Sequence, residues 1–431
     1  MNEIIIVLAG LLSFLIVGVC VLGLFRFNTT FLETLGLAFG IGGGVVSLEL
    51  FVLSYANLPI NVLSVFLPWY ILFIYFVFNR KLSYKKNNDA DGFVPFDYFF
   101  ILLIFFCTTL AVVYALIQPV SSWDAIATWS MLAKGFYFER SLSGDFYRFF
   151  NFENPPVVSL QQSFLSILIG SYNDKAVMLL YPAYFISLVA LFYTFVKKFS
   201  TKTNALIFTF LLSSLPLVLG QAGRNNTGYI DLALAYFIFS SVILLYYYFK
   251  FRTIEHALLL GFVLGLTALV KNEGLSILLI ISGIVLLINL RKKRFRDVVY
   301  LLLGLLPFFI WKVYEHTENF PQHPLYGGAF VPERIVSILT SFGAEFLKIG
   351  KWNLLWAPFI LSLFLLVRTR FINLVLLIVF LQLAFYFIIY LITPANLNLH
   401  INSTLDRFLL QLSPLIVFII AYVFAKPSTY K

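Results

Sequence analysis

Apolar runs separated by short polar breaks fill most of the chain, and their lengths fix what kind of element each can be. Cut at the breaks, the sequence predicts about thirteen transmembrane or partly embedded helices, over 4–25, 31–55, 58–78, 97–117, 175–196, 203–220, 229–249, 256–270, 274–290, 297–311, 352–367, 371–392 and 408–425. Several fall short of the ~20 residues of a full crossing, and 256–270, 274–290 and 297–311 read as half-buried or broken helices. One interval departs from the pattern. Ser121 to Asp174 carries Asp124, Lys134, Glu139, Arg140, Asp145, Arg148 and Glu153, and a polar stretch of that length cannot lie in hydrocarbon, where unpaired backbone and charged groups have no solvent. The expected fold is therefore an all-α polytopic membrane protein with a large first outer loop containing interfacial helices.

Basic residues set the orientation. With the N-terminus outside, every inward-facing connection carries Lys or Arg: Arg26, the Arg80–Lys86 stretch, Lys197 to Lys202, Lys250 and Arg252, Arg291 to Arg296, Arg368 and Arg370, and Lys426 to Lys431. That is the bias expected of cytoplasmic loops, so 118–174 is expected on the extracytoplasmic side, together with 221–229, 312–351 and 393–407. The first apolar run lacks a basic start and a small-residue cleavage site and reads as a retained helix. The linker 79–92 reads as an internal boundary, with an accessory bundle over 1–92 and the module bearing the polar loops over 93–431.

Composition supports this and excludes other classes. The chain is 61% hydrophobic and only 12% charged, with a mean hydropathy of +0.93, against roughly a quarter charged in soluble domains. A net charge of +10 would suit nucleic acid if it formed one basic surface. Here it is divided among the membrane-flanking turns, so no nucleic-acid partner is expected. Cys20 and Cys107 both fall inside apolar runs, which supports neither a disulfide framework nor a thiolate metal site.

Candidate chemistry gathers in the outer segments. Asp124, in Ser121-Ser122-Trp123-Asp124-Ala125, opens a helix whose Ala125, Trp129, Leu132 and Phe136 form one apolar stripe suited to the membrane interface. The same carboxylate fits a capping box that merely satisfies free N–H groups, and both readings stand. Asp231 lies at the outer end of an apolar span, where an ionisable group costs up to ~3 kcal/mol if deep; its structural alternative is a solvated helix-start acid. Lys271-Asn272-Glu273-Gly274 interrupts two short apolar runs, either as a ligand-lining helix break that binds an anion or pairs Lys271 with Glu273, or as a plain interfacial turn. Arg407 has the planar fork that clamps a phosphate, or it pairs with Asp406. His400 stands apart from any ligand spacing with His256, His316 and His323. Asn154-Pro155-Pro156 closes the polar part of the loop and starts a helix over Val157 to Ile169, expected in or re-entering the outer leaflet.

Trp123-Asp124-Ala125, Asn154-Pro155-Pro156, Gly228-Tyr229-Ile230-Asp231, the Gly265 to Gly274 segment and Leu405-Asp406-Arg407 together resemble the GT-C class of integral-membrane glycosyltransferases. The likeness is to the branch of the bacterial aminoarabinose transferase of lipid A and the protein O-mannosyltransferases, over about residues 95–425. It implies a GT-C-like catalytic module over 93–431 that takes a sugar from a polyprenyl-phosphate or polyprenyl-diphosphate donor. The acceptor would be a lipid, glycan or protein on the outer face of the cell membrane. In that reading Asp124 is the general base of an inverting transfer, with Asp231 as the second catalytic acid. Arg407 and Lys271 bind the donor phosphate, and Trp123, Lys134, Glu273 and His400 contact substrate. Asp124 lacks the adjacent second acid of a metal-binding pair, and Asn154 stands where a basic residue often precedes the Pro-Pro corner. No metal ligand is assigned, and a divalent ion is left open with Asp231 as the through-space partner. Two other functions share the composition: a lipid-linked glycan polymerase or ligase, and a transporter or flippase of a lipid-linked sugar. The latter predicts scattered rather than convergent Asp124, Asp231 and Arg407.

Overall fold

The computed structural model of the chain describes residues 2–79, 92–150, 154–224, 228–321, 328–365 and 369–425. The basic linker expected as a domain boundary lies outside the described residues except for its ends, as do Glu153, Asn225-Asn226-Thr227, His323 and the terminal lysines. The apolar runs form helices because a helix pairs its own backbone groups without water, and no strand occurs among the described residues. In chain order the helices are α1 Asn2–Leu24, α2 Phe31–Tyr55, α3 Val62–Phe78 and α4 Pro95–Ile117. The first outer loop contributes α5 Met131–Glu139, α6 Gly144–Phe150 and α7 Val157–Ile169. Then come α8 Leu180–Val196, α9 Lys202–Ser213, α10 Pro216–Leu219, α11 Asp231–Phe251, α12 Ile254–Val270, α13 Gly274–Arg291, α14 Phe295–Gly304 and α15 Leu306–Thr317. The last five are α16 Ile335–Phe346, α17 Ile349–Trp352, α18 Trp356–Phe364, α19 Arg370–Ile392 and α20 Leu397–Phe424.

Among the described residues, eight helices are long and apolar enough to cross a membrane, or up to ten if two bent pairs each count as one span. The protein is thus an all-α, multi-pass membrane protein, but the expected thirteen spans are not all of spanning length. The bent pairs are α9 with Pro216–Gly223, at 65°, and α14 with α15, at 52°. Each break falls beside a proline, Pro216 or Pro307, in the first turn of the following helix, where the missing N–H and the ring prevent continuation. Helices α3 and α12 have 17 residues each, and 352–367 yields only the nine-residue α18. At the other extreme α20 begins at Leu397, well before the expected 408, because Asn396 caps it by accepting the Leu399 N–H at 3.2 Å. Arg407 is therefore a helical residue.

Burial separates the inner helices from the lipid-facing ones. Of its most apolar window, α11 buries 89% and α4 only 17%; a helix apolar on every side can serve in either place, and packing decides. Helix α2 crosses α1 so closely that a Cβ on Gly42 would lie 1.8 Å from the Phe14 carbonyl oxygen, while Gly40, Gly43 and Gly44 make room for the side chains of Tyr236, Gln161 and Leu266. On its other side the Tyr236 hydroxyl of α11 lies 2.7 Å from the Gly36 carbonyl and accepts the Gly40 N–H at 3.1 Å.

The first outer loop differs from its expected interfacial placement. Ala125, Trp129, Leu132 and Phe136 do form one stripe, but it is buried in the protein against α7, where Ser159 and Ser163 donate to the carbonyls of Trp129 and Ala133 at 3.0 and 2.7 Å. Helix α7 has the predicted limits, and Val157 to Ser166 are all buried, so these residues face protein and not lipid. Its polar residues explain this. Gln161 accepts from Tyr184 at 2.8 Å and Gln162 donates to Tyr181 at 2.6 Å, partners that lipid does not supply.

Candidate active site

Four segments far apart in the sequence meet at one end of the bundle. Asp231 begins α11, Lys271 and Glu273 form the break between α12 and α13, Arg407 sits in the first half of α20, and Asp124 precedes a short π-helical turn over Ala125–Ser130. Such wide turns are uncommon and cluster at functional sites. The turn leaves the Asp124 carboxylate without any capping hydrogen bond and turned toward Arg407, so the side chain is not used as a helix cap.

Asp231 is the hub. It is fully buried, and its Oδ1 accepts from Lys271 Nζ at 2.9 Å and from Gln411 Nε2 at 2.8 Å. Its Oδ2 accepts from Arg407 Nε at 2.7 Å and, more distantly, from Gln221 Nε2 at 3.5 Å. A carboxylate can be kept ionised without water only when its lone pairs are filled in this way. Arg407 is shared: Nε faces Asp231, Nη1 donates to Asp124, and the guanidinium lies over the Tyr229 ring, 4.2 Å from its centroid. Burial pushes the Tyr229 phenol up, against the pull of Arg407, so it stays a neutral platform. Lys271 is likewise divided, with Glu273 Oε1 at 2.8 Å opposite Asp231.

The Asp124 side chain is 39% exposed and that of Arg407 10%, so the pair forms the accessible edge of an otherwise buried network. Gly228 sets the approach of the two acid-bearing segments. Its φ is +102° and a Cβ there would come within 2.6 Å of the Ala125 side chain, so a residue without a side chain lets the start of α11 lie against the residue after Asp124. The Gly228 carbonyl accepts from Tyr181 at 3.0 Å, which Gln162 of α7 in turn holds. Asn154 of the Pro-Pro corner accepts from Asn272 at 3.4 Å, tying that corner to the α12–α13 break.

Of the residues singled out by sequence, the structure brings together Asp124, Asp231, Arg407, Lys271 and Glu273, and it leaves three apart from their network. Trp123 is 79% exposed. Lys134 stands over the Tyr172 ring, 5.8 Å from its centroid. His400 is buried beside Thr393, its Nδ1 2.9 Å from the hydroxyl oxygen. The alternative pairing of Arg407 with the Asp406 side chain takes another form, because from Arg407 Asp406 accepts only the backbone N–H, at 2.8 Å. Its other oxygen accepts from Lys351 at 2.7 Å. Burial works against the Lys351 charge, but Asp406 and Glu345 outweigh it and hold the ammonium above its usual range.

Sequence reasoning gave no part to Gln411, Gln221 or Tyr229. Gln411 carried a legible signal, since it is one helical turn from Arg407 and polar within an apolar run. Gln221 carried none, because its contact depends on the bend after α9. The two acids considered as a metal pair meet across the Arg407 guanidinium, and among the described residues no group of three or more His, Cys, Asp or Glu is gathered to hold a metal.

Comparison with known proteins gives one family. No curated protein and no solved structure matches the chain. Residues 153–313, from the Pro-Pro corner into α15, match the family model described as dolichyl-phosphate-mannose-protein mannosyltransferase. That segment contains Asp231, Lys271 and Glu273, and the match supports an integral-membrane glycosyltransferase of the GT-C class.

Proposed function

We propose that the protein transfers a sugar from a polyprenyl-phosphate or polyprenyl-diphosphate donor to a hydroxyl acceptor (lipid, glycan or protein) at the extracytoplasmic surface of the cell membrane, with inversion. The observation that carries this reading is the shared Arg407: one guanidinium links a half-exposed carboxylate, Asp124, to a buried one, Asp231. Asp231, with every lone pair engaged and no exposure, suits holding Arg407 and Lys271 in place better than touching substrate. It is a positioning residue in this scheme.

The donor phosphate takes Asp124's place on the outer edge of Arg407, with Lys271 nearby as the second cation. Asp124 is then free to accept the proton of the acceptor hydroxyl. The acceptor oxygen forms its bond to the anomeric carbon from the face opposite the phosphate, as the carbon–oxygen bond to phosphate breaks. The electron pair leaves on the phosphate, whose developing charge Arg407 and Lys271 stabilise. Glu273 keeps Lys271 oriented. The exposed Trp123 ring is available to an arriving acceptor, while Lys134, over the Tyr172 ring, and buried His400, beside Thr393, take no part in this scheme.

The test is transfer from a panel of radiolabelled polyprenyl-linked sugars by the purified protein, comparing wild type with Asp124→Asn. Asn preserves shape and a hydrogen bond to Arg407 but cannot take a proton. Folding and donor binding should persist while transfer falls by roughly 10²-fold or more. Undiminished transfer by the folded variant would remove the base assignment, and a product that retains the donor's anomeric configuration would remove the single-displacement scheme.

A further inference from the structure

A second cluster of charge lies at the opposite end of the same helices. Asp231 opens α11 and Arg252 terminates it, so the two are separated by about 30 Å of helix at 1.5 Å per residue. Helix α13 likewise runs from beside Glu273 to Arg291. There the turn between α13 and α14 meets the end of α11 around a cavity of about 580 Å³ lined by Arg252, Lys293, Arg294, Phe295, Arg296 and Asp297. The volume is that of a small-molecule site, and the lining carries four cations against one carboxylate.

Basic turns orient membrane proteins by charge alone, and that explanation needs neither a cavity nor fixed side chains. This turn has both. Arg252 Nη1 donates to Asn289 Oδ1 at 3.1 Å and to the Tyr248 hydroxyl at 3.3 Å, and its guanidinium lies 4.4 Å from the Phe249 centroid. Asn289 is itself fully buried and donates to the same Tyr248 oxygen at 2.6 Å. The one lining carboxylate, Asp297, is 6% exposed and accepts from the Tyr248 hydroxyl at 3.3 Å. Among the described residues no carboxylate lies within ion-pair distance of Arg252, Lys293, Arg294 or Arg296. Arg252 and Lys293 also hold left-handed backbone, with φ of 55° and 54°, a conformation costly for residues with a Cβ. Phe295, which lines the cavity, is an exposed apolar side chain, and Leu287 and Val299 on the two flanking helices are exposed as well, so apolar surface flanks the basic turn.

We propose that this cavity is a binding site for a phosphoryl anion, separate from the candidate active site and at the other end of the bundle. Planar guanidinium groups match the oxygens of a phosphate, and the apolar flank accommodates the chains of a membrane lipid whose headgroup supplies it. A soluble phosphate offers the same recognition chemistry without the flank.

The experiment uses the full chain in detergent micelles, probed by native mass spectrometry with phosphatidic acid, with phosphatidylcholine and with inorganic phosphate. Three variants are compared: Arg252→Gln and Arg296→Gln, which remove cavity cations, and Lys292→Gln, which removes the same charge from the same turn but does not line the cavity. Phosphatidic acid should be retained over phosphatidylcholine, and each cavity variant should weaken retention roughly tenfold or more while Lys292→Gln leaves it near wild type. Inorganic phosphate that binds with the same variant dependence, in place of the lipid, would keep the site and name the soluble source. Equal losses from all three substitutions would reduce the cluster to a general charge effect and overturn the proposal, as would retention unaffected by any of them. If Arg252→Gln does not fold, Arg296→Gln against Lys292→Gln decides the question alone, since Arg296 makes no ion pair among the described residues.

Discussion

Arg407 cannot be exchanged for lysine without loss, because it reaches two carboxylates through different nitrogens of one rigid plane. A lysine is a single point of charge, so Arg407→Lys would keep one partner and release the other. Losing one charge-assisted hydrogen bond costs about 1.5–3 kcal/mol. The expected result is weaker use of the polyprenyl-linked donor, measured as a raised apparent KM in the transfer assay; unchanged donor dependence would argue against a phosphate role. Asp231→Ala strips the buried partner from two cations at once. Breaking a buried ion pair from one side costs about 3–5 kcal/mol, and the remaining partners, Asp124 and Glu273, place the effect toward the lower end. The thermal transition in detergent should fall clearly for Asp231→Ala and little for Asp124→Ala, whose carboxylate is the exposed one; equal falls would contradict the division between hub and edge. At this scale the sequence was most legible where charge is rare. Each of Asp124, Asp231, Lys271, Glu273 and Arg407 stands out because an ionisable group beside an apolar run demands a partner. Only the pair of Lys271 with Glu273, two positions apart, was legible; the pairing across distant segments was not, since neither burial nor through-space neighbours can be read along a chain, and for Arg407 a pairing with Asp406 stood as an alternative.

Elements were legible in their limits and less so in their surroundings. Periodicity and proline placement gave α7 its ends, yet not its burial by neighbouring helices, because a helix with buried Ser and Gln resembles one that faces headgroups. The tyrosines that satisfy it lie on α8. In α20 the apolar run gave the end of the helix and concealed the polar first turns, which only the Asn396 cap anchors. The approach of α11 to the Asp124 turn is open to a direct test. Gly228→Ala puts a methyl group against Ala125 in a backbone conformation that costs an L-residue about 1–2 kcal/mol. The chain should still fold, with turnover reduced through a displaced Asp124 and with donor binding less affected. A variant with full turnover would mean that the turn adapts and that this contact does not set the site.

Across the whole molecule, the Asp124–Arg407 network and the basic turns that end α11 and α13 occupy opposite ends of those helices. Sidedness can be checked in intact cells. Cys20 and Cys107 are both buried, so background labelling should be low. Glu139→Cys, in the first outer loop, is expected to react with an impermeant maleimide, and Lys292→Cys is expected to react only after permeabilisation. The reverse pattern would put the candidate site on the cytoplasmic side and exclude an extracytoplasmic acceptor.

The polar face of α7 also bears on biosynthesis. Gln161 and Gln162 find their partners on Tyr184 and Tyr181, which leave the ribosome after α7 itself. Until α8 has entered the membrane, these two glutamines lack their partners and α7 is held only by helices made earlier, as where Ser47 of α2 donates to the Val157 carbonyl at 2.8 Å, so the working face is completed from its downstream neighbour backward. Nascent chains stalled before Leu180 should therefore leave this loop open to protease from the outer side. Chains extended well past Val196 should close it.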